Sequence, residues 1–212
     1  RLNLFIYFFK LFLCAVNMAL HRPTFQLHTL FDGQPSSRLI DGKKSDLNIL
    51  RSQCTSTQDG QSFVMWRVYL ENYRRIERIV IYSRTDNKKW GEINLIDKWS
   101  KCTIGVLIHN KKCIDILDVN NGFTRRLLGF SVAVSNTTDY NHGVICYHER
   151  KYNKYTIPST VDFFCSAVGR YVIFYNERRP GISYPEDYSQ YAFVDLCEIE
   201  VYGTWNLVWR KK

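Results

Sequence analysis

Apolar and polar residues alternate with a period of two along several stretches of the chain, the spacing of a strand with one buried face. Val64, Trp66, Val68 and Leu70 share one face of such a stretch. Leu128, Phe130, Val132 and Val134 do the same, opposite the small or polar Gly129, Ser131, Ala133 and Ser135. Residues 78–83 and 170–175 are rich in Ile, Val, Tyr and Phe, and near the end Cys197, Ile199 and Val201 alternate with Glu198, Glu200 and Tyr202. These stretches read as strands. Turn formers separate them, among them Asp41-Gly42, Asn120-Asn121-Gly122 and Arg179-Pro180-Gly181, so the connections are loops rather than crossover helices. With no sustained helical periodicity and no internal repeat, the pattern predicts an all-β fold: an antiparallel β-sandwich of the jelly-roll kind. Residues 88–121 lack this alternation. Their two short apolar runs, 104–108 and 114–117, predict an inserted hairpin framed by Cys102 and Cys113, which a disulfide would staple.

Composition narrows the class. A length of 212 residues suits one generous domain, and an aromatic content of 15% favours half-buried pleated surfaces. The formal charge of +9 is spread over scattered pairs such as Lys43/Lys44 and Arg125/Arg126, not along a stripe that would follow a phosphate backbone. No nucleic-acid motif accompanies it, which argues against nucleic-acid binding and leaves an anionic glycan or cell surface as the milder alternative. Residues 1–16 form a short, positively flanked apolar run ending in small residues and read as a signal peptide; the alternatives are a buried first strand or a membrane anchor. If Cys14 leaves with that segment, six cysteines remain for three disulfides in an oxidising compartment, and no CxxC pair favours zinc instead. Asn136-Thr137-Thr138 is a glycosylation sequon. No nucleophile elbow, zinc-binding helix or phosphate-cradling loop is present, so an enzyme is not expected.

Four stretches together carry a family resemblance: residues 17–24 (NMALHRPT), 81–86 (IYSRTD), 126–136 (RLLGFSVAVSN), and 176–181 (NERRPG) followed by 196–203 (LCEIEVYG). In this order they resemble the fucolectin, or F-type lectin, family with its galactose-binding-domain-like fold, and in particular the N-terminal domains of invertebrate, especially molluscan, multiple-EGF-like or scavenger-receptor-like proteins. The resemblance spans residues 17–203 apart from the insertion, leaving 204–212 as a tail that is not a membrane helix. It implies an eight-stranded jelly roll with sites in the end loops, and it pairs Cys54 with Cys197 and Cys146 with Cys165.

The resemblance also implies two sites. A calcium site would take Asp41 and Glu198 as carboxylates and backbone oxygens from Arg38, Lys43 and Cys197, with Ser52 or Gln53 completing the set. The alternative is that Asp41-Gly42 is only a turn and Glu198 only a solvated strand residue. A fucose site would use Arg84, Asp86 and Arg126, whose forked guanidiniums suit sugar hydroxyls. Ser56 stands where the family has a His, and Asn87 follows Asp86 where the family has an adjacent cysteine pair. The alternative there is that the arginines only pair with nearby carboxylates. Trp66, Trp90 and Trp99 are candidate stacking platforms, Trp66 being more simply a core residue. The expected function is extracellular recognition of cell-surface or microbial glycans, calcium-dependent and serving innate recognition or adhesion. The alternative is a structural or protein-binding ectodomain with a degenerate sugar site. Any membrane tethering is expected through downstream segments of a longer receptor.

Overall fold

The computed structural model describes residues 16–88, 90 and 121–205. The expected signal segment, the Cys102/Cys113 hairpin, Trp99 and most of the tail lie outside the described residues. Within them run six strands: β1 (Thr24–Gln26), β2 (Phe63–Ser83), β3 (Ser131–Ser135), β4 (Val144–His148), β5 (Thr160–Glu177) and β6 (Leu196–Trp205). Every pairing between them is antiparallel.

β2 and β5 are long enough to serve both layers of the sandwich. Residues 63–69 of β2 pair with β1 and with the closing half of β5, which continues to β3 and β4. From Arg74 onward β2 pairs with the opening half of β5 and with β6. The register breaks between Tyr69 and Arg74, where Glu71 adopts φ 66°. A left-handed residue at an unpaired step bends a strand, and here the bend carries β2 from one layer to the other. Counted by layer, among the described residues, there are five strand segments on one side and three on the other. The expected antiparallel β-sandwich is present.

The alternation seen in the sequence defines the space between the layers. Val64, Trp66, Val68 and Leu70 are all fully buried, and the Trp66 indole N–H donates to the Ser36 carbonyl at 2.9 Å. In the opening half of β5, Val161, Phe163, Cys165 and Ala167 point inward while Asp162, Phe164, Ser166 and Val168 are exposed. Each large apolar side chain so buried contributes about 1.5–3 kcal/mol. The outer strand β4 is tied across to β5 by the Cys146–Cys165 disulfide, beside which the Tyr147 ring stacks on Phe163 at 4.4 Å. Trp90 is also buried, donating to the Ile157 carbonyl at 2.7 Å. Neither Trp66 nor Trp90 is therefore a sugar platform.

Two further details differ from the sequence pattern. Leu128 precedes β3 rather than lying in it, as the cap of a short helix, α1 (Phe123–Leu127). The small face of β3 is not solvated: Ser131, Ala133 and Ser135 are buried, because a second apolar cluster lies outside the sandwich. Met65, Ala133, Ile173 and Tyr175 form it, with Phe63, Tyr140 and Tyr171 packed against them. Among the described residues no helix is long and apolar enough to cross a membrane.

Gly203 on β6 faces Ile76 of β2 so closely that an added Cβ would meet the Arg75 carbonyl oxygen at 2.0 Å. Gly203→Ala is expected to destabilise the domain by about 1–3 kcal/mol, because the clash is with backbone and cannot be relieved by a rotamer. Urea denaturation followed by tryptophan fluorescence measures it.

Candidate functional site

The three-stranded layer ends where β2 finishes at Ser83 and β6 begins at Leu196, two residues that face each other in register. Beyond that rim the chain places Arg84 and Asp86 on one loop and Asp195 on another. Two backbone hydrogen bonds fix the juncture: Arg84 N–H donates to the Asp195 carbonyl at 3.0 Å, and Thr55 N–H donates to the Leu196 carbonyl at 2.9 Å. The second of these brings Ser56 alongside.

Four charged side chains and one hydroxyl meet here. Arg84 grips Asp86 with both prongs of its guanidinium, Nε to Oδ1 and Nη2 to Oδ2, each at 2.8 Å. Its remaining nitrogen, Nη1, reaches Asp195 Oδ1 at 3.5 Å. Arg126, at the C-terminal end of α1, donates to Asp195 Oδ2 at 3.0 Å. Ser56 donates to Asp195 Oδ1. Paired forked contacts are the stronger and more directional kind of ion pair. All four residues expected for a sugar site, Ser56, Arg84, Asp86 and Arg126, thus stand together, joined through Asp195.

Their roles differ with exposure. Ser56 is 1% exposed, and its hydroxyl is committed to Asp195, so it positions that carboxylate rather than facing solvent. Arg126 is the most open, its side chain 33% exposed against 12% for Arg84 and 4% for Asp195. Burial opposes ionisation of Asp86, but the Arg84 contact and the Ile49 amide outweigh it and hold its pKa below the usual carboxylate value. The turn that aims Asp86 is left-handed at both Asp86 (φ 50°) and Asn87 (φ 57°), and the Asn87 amide fastens it to Asp46 at 2.7 Å.

The positive charges of the two arginines balance the negative charges of the two aspartates, so the cluster suits a neutral polar ligand better than an ion. Aromatic faces complete it. The Phe123 ring lies under the Arg84 guanidinium at 4.3 Å and the Arg126 guanidinium at 5.4 Å, and Phe193 lies under Arg126 at 4.1 Å. Phe123 is half-buried and Phe193 buried.

Sequence reasoning passed over Asp195, Phe123 and Phe193. Asp195 does leave a trace: it is the only acidic residue in the apolar run from Ala192 to Leu196, and a buried carboxylate needs cationic or hydrogen-bonding partners. Phe123 follows the long insertion, and nothing local to it points toward the arginines.

The second expected site lies where β6 meets the loop before β2. Glu198 is fully buried; its Oε1 accepts from the Gly42 N–H at 3.2 Å, and its Oε2 has no partner. Burial, reinforced by the nearby Asp41 and Glu200 charges, pushes its pKa up to about 8. Glu198 is therefore not a solvated strand residue. The Cys54–Cys197 disulfide draws Ser52 and Gln53 toward the same stretch of β6. Asp41 accepts from the Lys43 N–H at 2.9 Å, and the Gln53 side-chain oxygen accepts from the Asp46 N–H at 3.0 Å. Arg38 extends its guanidinium to the Cys54 and Gly33 carbonyls. Among the described residues no group of three or more His, Cys, Asp or Glu side chains gathers to hold a metal, so a cation here would draw on backbone and amide oxygens beside Asp41 and Glu198. An orphaned buried carboxylate oxygen is the feature such an ion would satisfy.

Comparison with solved structures reveals extensive similarity. A fucose-binding module from Streptococcus pneumoniae superposes with a TM-score of 0.55 at 20% identity, over 90% of this chain and 99% of its own. The serum fucolectin of the striped bass, Morone saxatilis, gives 0.58 at 20% identity, over 91% of this chain and 48% of its own. The lectin domain of lectinolysin, solved with Lewis B antigen, gives 0.57 at 17% identity, over 90% and 98%. This is the fucolectin fold. No protein-family model and no curated protein matches the sequence, so the likeness lives in the backbone path rather than in residue identity. Both disulfides implied by the fucolectin resemblance are formed. The fucolectin fold explains why the arginine loop, α1 and the start of β6 converge: all three open from one rim of the sandwich.

Proposed function

We propose that this domain is an extracellular carbohydrate-recognition module that binds a neutral sugar of the fucose class at the Arg84/Arg126 cluster. The convergence of both arginines on Asp195, in a fold otherwise known here from sugar-binding modules, carries the reading. Arg126 and the outward edge of Arg84 donate to ring hydroxyls, Asp195 and Asp86 hold the two guanidiniums in place, and Phe123 offers an apolar face to the sugar. Two disulfides suit an oxidising compartment, and Asn136 is exposed in the turn after β3, where a glycan could be attached.

A glycan array followed by calorimetric titration with fucosylated and galactosylated oligosaccharides tests the reading. Binding is expected to fall at least tenfold in Arg126→Ala, while the protein stays folded because Asp195 keeps Ser56 and Arg84. A folded protein that binds no neutral glycan would leave the alternative, a protein-binding ectodomain whose arginines serve only the loops.

We further propose calcium as a structural ion held by Asp41, Glu198 and the oxygens of Arg38, Lys43, Cys197 and Ser52 or Gln53. Bound there, it would supply the positive charge that the buried Glu198 carboxylate lacks. Without it, neutral Glu198 is the form that favours the fold. Because its pKa is raised from 4.5 to about 8, that contribution is complete below about pH 4.5 and fades as pH rises through 8. Thermal melting in chelator is therefore expected to weaken between about pH 5 and pH 8. Added calcium should restore stability most at the upper end, and an identical profile with and without it would dismiss the ion.

A further inference from the structure

On the outer face of the five-stranded layer, an open cleft of about 620 Å³ lies between β3, β4, the end of β5 and the turn that precedes β4. Ligand-binding pockets commonly measure about 300–1,000 Å³. The solvated face of an antiparallel sheet is ordinarily polar. Here it carries Tyr140 and Tyr175, whose ring centres are 4.3 Å apart, with Phe63 a further 5.4 Å from Tyr140.

The polar groups of the cleft are unevenly charged. Arg179 is paired with Glu177 at 2.9 Å. Arg150 is exposed and has no carboxylate partner among the described residues, leaving one guanidinium unneutralised. His148 is an exposed residue of the lining, its Nδ1 2.6 Å from the buried Ser131 hydroxyl, a contact that anchors the ring. Tyr175 is buried and Tyr140 half-buried, so Tyr140 is the ring at the cleft wall that a sugar can reach. That ring, an anchored imidazole and a spare guanidinium are the complement of a sugar that bears an acidic group.

We propose that this cleft is a second glycan site, which takes a sugar residue carrying a carboxylate or sulfate. It is independent of the neutral-sugar reading, since none of its residues belongs to the Arg84/Arg126 cluster. The two sites together would let one domain engage two positions of a branched or acidic glycan.

Three disaccharides serve as probes in nuclear magnetic resonance titrations of the full chain: a uronic-acid disaccharide, its sulfated counterpart, and lactose. The acidic sugars are expected to shift resonances of His148 and Tyr140 with saturation, and lactose is not. Arg150→Gln should weaken acidic-sugar binding at least tenfold, as should Tyr140→Ala, while neutral-glycan binding at the loop rim is retained in Arg150→Gln. Arg75→Gln, an equal loss of charge on the other layer, should leave acidic binding unchanged. Equal weakening by Arg75→Gln would reduce the effect to the chain's general positive charge and overturn the proposal, as would saturation that survives Arg150→Gln and Tyr140→Ala. A response to the uronic acid alone, or to the sulfated sugar alone, would support the site and identify the acidic group.

Discussion

Asp195→Ala is expected to cost about 1–3 kcal/mol of stability and to abolish sugar binding at the loop rim together. The carboxylate is 4% exposed and accepts from Ser56, Arg84 and Arg126 at once. Its removal strands the buried Ser56 hydroxyl and leaves Arg126 without its carboxylate, so two loops lose the group that joins them. Arg84 keeps Asp86 and is expected to hold its place. Asp195→Asn separates the effects: an amide can still accept from Ser56, but it offers no charge to the arginines. Chemical denaturation and glycan titration should then show a smaller loss of stability with binding still severely reduced. Full binding by a folded Asp195→Ala protein would show that the cluster serves the loops alone.

The second large effect concerns Cys54–Cys197, which closes a chain segment of 143 residues. A crosslink of that span restricts the unfolded chain strongly, and Cys54→Ser with Cys197→Ser is expected to lower stability by about 2–5 kcal/mol. The bridge also packs with Ile49 in a small buried cluster that underlies the Asp41–Glu198 region. The double variant should therefore lose any calcium-dependent rise in melting temperature as well as intrinsic stability. Differential scanning calorimetry with calcium and with chelator separates the two contributions.

The sandwich was legible because its core positions are periodic. Val64 to Leu70 and Cys197 to Val201 alternate as local signals, and every apolar position so marked is buried. What periodicity could not convey was that residues 63–83 form a single strand. The polar stretch around Glu71 looks like a turn between two strands, and only three-dimensional pairing shows the chain bending through it. The buried small face of β3 was likewise hidden, because Tyr140, which covers it, comes from a turn whose own sequence is polar.

The site was legible in part for a similar reason. Arg84 and Asp86 are neighbours, and their forked pairing is a local event. Arg126 could be placed with them only through the family resemblance, since an insertion separates it along the chain. Asp195 stands 109 positions beyond Asp86 in the numbering, so no spacing rule links the two. Glu198 looks outward-facing by alternation with Cys197 and Ile199. It is nevertheless buried, because the loop around Gly42 lies over that face of β6.

Because β2 and β5 each run through both layers, the two halves of the sandwich are stitched by continuous backbone. The arginine cluster, by contrast, stands on segments at the rim. Such a scaffold lets those segments diverge in composition and length while the platform beneath them keeps its shape, which accounts for a backbone held in common with lectins that share about one residue in five.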